Sequence, residues 1–181
     1  MALPAATPVE KFSRRGVSIF LFVPEIADTT DLTPTRAELD AGTNLSAAIA
    51  GISGFTLENQ SIETPDMSDD FDSSIPGSDK AEDSSFTFYE DKVTAVIEEL
   101  LKKGTVGNIV ILRKGDVPAS KSMDVFPIRV GSQSPAYSTD NEAAKFETKF
   151  TITRRPKQGL AVPAAAGAQT VTNRAKKELA Q

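Results

Sequence analysis

The chain has no cysteine, no histidine and no tryptophan, and only two tyrosines. Without cysteine, disulfides and thiolate metal sites are excluded. Without histidine, Ser–His and Cys–His nucleophile pairs, imidazole general bases and histidine-bound zinc are excluded too. Carboxylate, lysine, tyrosine and serine chemistry is left, and few enzymes run on these alone. The composition therefore argues against an enzyme. Paired carboxylates would suit a glycosidase, but Tyr89 and Tyr137 make a poor sugar platform without tryptophan. No stretch approaches the ~20 apolar residues of a membrane helix, so no membrane insertion is expected. The start, MALPAATPVEKFSRRG, has no apolar run behind a basic beginning, so no signal peptide is expected and synthesis is expected inside the cell.

What is present suffices for one core. The chain has 181 residues, 39% of them hydrophobic, which predicts one domain with appended arms. Its most regular stretch is Ser84–Leu112, read as strand, helix, strand. Phe86 and Phe88 alternate with Ser85, Thr87 and Tyr89, the period of a half-buried strand. Val93, Val96, Ile97, Leu100 and Leu101 recur at helical spacing, which predicts a helix over 91–103, begun at Glu90 or Asp91 and ended by Gly104. The β-branched run 108–112 reads as the next strand.

Around this unit the chain alternates strands and punctuation. Residues 1–16 are Pro- and Ala-rich, then basic at Lys11, Arg14 and Arg15, and read as an extended arm. Val17–Val23 is a buried strand, and Thr35–Ala41 a short helix capped by Thr35 and stopped by Gly42. A second short helix is expected over 43–50. Residues 54–63 alternate as a strand with one face in water. Residues 123–131 form a strand whose Pro127 predicts an edge position or a bulge. Residues 143–153 alternate most cleanly, with Phe146, Thr148 and Phe150 on one face and Lys145, Glu147 and Lys149 on the other. Residues 156–181 read as an extension without a core of its own.

Charge is unevenly placed in a chain of net −5. Eight acids lie between Glu63 and Asp83 against Lys80 alone, and eight bases follow from Lys145 onward against two glutamates. Such a chain can bind copies of itself head to tail, the alternative being two solvated segments. The long stretch 64–83 has two breakers, Pro65 and Pro76–Gly77, yet also a spaced apolar set, Met67, Phe71 and Ile75. We read it as a loop or long hairpin ordered against a partner surface, with these three as anchors. Asp70, Asp72 and Ser74 have calcium-loop spacing. However, Ile75 stands where glycine is required and Ala81 where the bidentate glutamate belongs, so no metal is expected. There is no GxGxxG, P-loop or G-x-S-x-G, and Ser120–Lys121–Ser122 is ordinary turn chemistry.

In order along the chain, MALPAATPVEKFSRRG, IETPDM (62–67), IPG (75–77), DSSFTFYED (83–91), GNIVILRKGDVP (107–118), MDVFPIRV (123–130) and AAKFETKFTIT (143–153) resemble the major tail tube protein of long-tailed (siphovirus) phages, of the actinobacteriophage type. The resemblance spans roughly 1–155. It implies a mainly β, sandwich- or barrel-like subunit with one flanking helix, over 17–155. Hexameric rings of it would share a continuous inner β-barrel and stack into a hollow tube for DNA ejection. It implies homo-oligomeric partners, tail terminator, tape measure and baseplate or tail-tip proteins, DNA passing without specific binding, no cofactor and a place in the virion tail. Within that picture Glu58, Glu63, Asp66, Asp69, Asp70 and Asp72 are candidates for the lumen wall or the subunit joints. Arg14, Arg15, Arg154 and Arg155 are candidates for a basic docking arm. The alternative is a ring-forming adaptor or terminator that does not polymerise.

Overall fold

The computed structural model describes residues 8–68 and 70–164. The chain runs β1 (Ile19–Val23), α1 (Arg36–Ala41), β2 (Thr43–Asn44), β3 (Ile49–Ser53), β4 (Leu57–Asn59), β5 (Ile62–Thr64), β6 (Ser73–Ile75) and β7 (Asp79–Ala81). It continues with β8 (Ser84–Tyr89), α2 (Val96–Leu100), β9 (Val106–Leu112), β10 (Lys121–Ala136), β11 (Lys145–Ile152) and β12 (Lys157–Ala161). The fold is mainly β, as expected. One antiparallel sheet is ordered β2-β1-β9-β10-β11-β8-β3, with β12 also on β10.

Two kinds of strand follow from two sequence patterns. β1 and the second half of β9, Ile109–Leu112, are continuous apolar runs, and both are covered on both faces. Ile109 and Ile111 enter one core cluster with Phe22, Phe86, Phe88, Phe126 and Phe150. Val110 and Leu112 enter another with Val23, Leu39, Met123 and Val125. β8 and β11 alternate, and they cover a core on one face only.

The sheet curls around the first cluster. Phe20 on β1 and Phe86 on β8 are separated by three strands of the ladder, yet their rings lie 5.8 Å apart, edge to face. Residues 45–48 join the two ends of the sheet. The Leu45 N–H donates to the Phe20 carbonyl, and the Tyr89 N–H to that of Ala48. No ladder between β2 and β3 closes a barrel among the described residues. α2 covers the core with Ile97, Leu100 and the fully buried Leu101. On the other face lie α1 and the segment before it. Here Thr35 is the cap, as predicted, and it forms a capping box with Glu38, with Leu39 buried.

Several expectations need correction. The helix foreseen over 91–103 spans only Val96–Leu100. Asp91 instead accepts the Val93 N–H and the Thr94 hydroxyl, holding the chain in a turn, and Val93 is left in solvent. After Leu101 the chain turns back because Gly104 and Val130 N–H groups bond the carbonyls of Val130 and Thr105. The helix expected over 43–50 is β2, a turn and β3, since pairing with β1 overrides local propensity. The strand expected over 54–63 is split into β4 and β5 and lies off the main sheet.

Pro127 is neither at an edge nor in a bulge. Its carbonyl accepts the Thr153 N–H, so its nitrogen faces the same side, where β10 changes partner from β12 to β11. The missing donor therefore removes no bond to β9. Finally, β12 adds a strand beyond residue 155, and Val162 is buried. Asp124 secures it, accepting the Gly159 N–H at 2.8 Å while Arg113 Nε lies 2.9 Å away as an ion pair. Residues 165–181 of the expected extension lie outside the described residues.

Candidate assembly surfaces

Residues 57–81 form a long hairpin off the sheet. β4 pairs with β7 near the base and β5 with β6 farther out. Its root is Gly54–Phe55, both in the left-handed region at φ 76° and 58°. A β-carbon on Gly54 would sit 2.6 Å from the Asp83 carbonyl oxygen, so only glycine fits. Phe55 tolerates its backbone because its ring is buried against Phe86, Phe126 and Phe150 and its N–H donates to Ser84 Oγ. A second joint lies midway, where the Gln60 N–H bonds the Ser78 carbonyl and Asn59 bridges both ways to Gly77.

The hairpin collects the predicted anchors and most of the predicted acids. Met67, Phe71 and Ile75 are 106%, 73% and 52% exposed, and Ile62 pairs across the strands with Ile75. Glu58, Glu63, Asp66, Asp70 and Asp72 are all exposed along it, whereas Asp69 lies outside the described residues. Asp66 is held in a local turn by the N–H and hydroxyl of Ser68. Glu58, Gln60, Lys80, Glu82 and Asp83 line an open cleft of about 410 Å³ at the hairpin's base, with Glu58 opposite Lys80 in the ladder. The predicted basic residues divide. Arg154 donates to the Thr29 carbonyl, and Arg155 pairs with Asp79 at 2.6 Å, tying the hairpin to the β11–β12 crossover. Arg14 and Arg15 are exposed on the arm.

A surface the sequence did not single out is the outer face of β10, β11, β8 and β3. Opposed residues in antiparallel pairs share a face. Arg129, Ser132 and Ser134 thus lie with Thr151, Lys149 and Glu147, and these last two with Ser85 and Thr87. Charges here are partly matched: Lys149 lies 3.8 Å from Glu147, and Lys145 2.6 Å from Glu142. The latter contact raises the Lys145 pKa and lowers that of Glu142. Among the described residues both margins of this patch are unpaired: β3 bonds only β8, and β10 loses β9 beyond Arg129, leaving 131–136 bonded on one side. The signal was partly legible, because 143–153 already alternated polar and apolar residues.

A family model described as phage tail tube protein matches residues 5–165. The chain belongs to the phage tail tube protein family. Solved structures agree in fold. The tube terminating cap of the anti-feeding prophage is 13% identical, with 86% of this chain and 95% of that chain covered and a TM-score of 0.52. The sheath/tube terminator of an extracellular contractile injection system is 14% identical, with coverage of 86% and 98% and a TM-score of 0.53. A chain from the tail of an empty gene transfer agent particle is 9% identical, with coverage of 83% and 100% and a TM-score of 0.52. No curated protein matches this family member.

Proposed function

We propose that copies of this chain join edge to edge into a hexameric ring, and that rings stack into the tail tube of a long-tailed phage of the actinobacteriophage type. The observation that carries this is the four-stranded patch with two unpaired margins. Three successive antiparallel steps make β3 and β10 run oppositely. A copy related by rotation therefore sets its β10 margin antiparallel to the first copy's β3, and the pattern repeats around a ring. Six copies would give a wall of about 24 strands, roughly 115 Å around and ~37 Å across at ~4.8 Å per strand. A barrel of that size leaves an aqueous channel. Closure also removes the exposed edges.

In this arrangement the polar outer face lines the channel. Its matched charges and hydroxyls give passing DNA no continuous cationic track to adhere to. The hairpin acids Glu58, Glu63, Asp66, Asp69, Asp70 and Asp72 belong to the subunit joints, and Met67, Phe71 and Ile75 anchor the hairpin on a neighbour. The role is structural, without a reaction or cofactor, and the tube meets terminator, tape-measure and tail-tip proteins at its ends and in its lumen. A cap or terminator forming one ring is the second reading, favoured by the likeness to two proteins described as cap and terminator.

Hydrogen exchange tests the ring. Amides of 49–53 and 131–136 should gain protection together on assembly. Assembled particles in which either margin exchanges as fast as in the free chain would refute edge-to-edge closure.

A further inference from the structure

The open side of the curled sheet holds a groove of about 290 Å³ between α2, β8 and the turn before β3. Tyr89, Val96 and Phe146 contribute its apolar lining, and Asp91 and Glu98 are among its polar residues. Its surroundings are acidic, since residues 90–99 carry four acids against Lys92 alone. We propose that this groove receives the N-terminal arm of a second copy of the chain, with Phe12 in the groove and Arg14 and Arg15 facing the acidic rim. This rests on the assembly reading above and names the acceptor surface for the arm.

Among the described residues, exposed apolar side chains lie on the hairpin, on the arm and at scattered places such as Val117 and Tyr137. The hairpin offers Met67 and Phe71, but residues 57–81 carry seven acids against Lys80, the same sign as the rim. The arm offers Val9 and Phe12, 76% and 53% exposed, and residues 8–16 carry three bases against Glu10. The arm thus joins exposed apolar side chains to a charge opposite to that of the rim. Within the single chain Phe12 stays in solvent although the groove is open, with the arm turned at Arg14, whose carbonyl accepts the N–H groups of Val17 and Ser18. The occupant is therefore supplied by a neighbour. Aromatic side chains and arginine, which the arm supplies at Phe12, Arg14 and Arg15, are enriched at protein contacts.

The absence of cysteine makes the test direct. Phe12→Cys chains are mixed with size-tagged Val96→Cys chains and oxidised, with wild-type particles imaged in parallel. A disulfide between the two chains is expected. Adding Arg14→Glu and Arg15→Glu to the first chain should lower its yield about tenfold, and Glu98→Lys on the second should restore part of it. No disulfide between copies, or a yield indifferent to charge reversal, overturns the proposal. So does a Phe12→Cys/Val96→Cys double variant that closes within one chain at every dilution. Wild-type rings without the cross-link defeat this inference alone. The cross-link without any ring supports the groove contact and defeats the ring.

Discussion

Trimming the hairpin tip separates folding from assembly most sharply. In the triple variant Met67→Ala, Phe71→Ala, Ile75→Ala, all three side chains start mostly or half in solvent, 106%, 73% and 52% exposed. Fully burying such a side chain is worth about 1.5–3 kcal/mol. Scaled by these exposures, docking all three with complete burial contributes roughly 3.5–7 kcal/mol per subunit contact. Retained Cβ atoms and partial burial lower the loss to about 3 kcal/mol, or ~10²-fold in the association constant. The isolated fold should scarcely notice. Substitutions at such exposed sites fall within about 0.5 kcal/mol, a shift of ~2 °C or less in a domain of this size. Sedimentation across a dilution series reads the critical concentration, and calorimetry reads the Tm. Assembly at the wild-type concentration would refute the anchor role. A large fall in Tm would show that the hairpin belongs to the core.

Three further outcomes follow from the geometry. Phe86→Ala should destabilise the fold by about 3–5 kcal/mol in denaturant titrations, because the ring is fully buried among Phe20, Phe55, Phe88 and Phe150. Gly77→Ala should loosen the hairpin without unfolding the sheet, costing about 1–3 kcal/mol of local stability, since a β-carbon there meets the Gln60 carbonyl oxygen at 2.1 Å. Hydrogen exchange over 57–81 would report it. Glu38 accepts the N–H groups of Ala27 and Thr35 and the Thr35 hydroxyl, which hold its pKa below the usual carboxylate value. A depressed folded pKa means the stabilisation is present above the unfolded value and lost as pH falls through the folded one. Glu38→Ala should therefore cost about 1 kcal/mol at neutral pH, and wild type and variant should converge in acid.

How much the sequence disclosed depended on whether the deciding interaction was local. The helix between Thr35 and Gly42 was readable because its cap and its stop lie within eight residues. Half-buried β8 and β11 were readable from their period of two. The beginning of α2 was not, because Asp91 serves equally as a helix cap and as the acceptor of a turn. β2 and β3 were hidden because β1 and β8 impose the extended form on residues with no strong preference. β12 was hidden because its partner Asp124 lies 35 positions away. Of the candidate surfaces, the hairpin was visible in its breakers and acids. The unpaired margins depend on where β9 ends relative to β10, which only the folded ladder reveals.

The central claim is that this chain builds a tube from itself, and negative-stain electron microscopy of the purified protein over a concentration and salt series tests it most directly. Long hollow tubes of uniform width are the predicted result. Single rings that never stack would leave the cap reading in place of the tube. A particle that stays monomeric under every condition would contradict both.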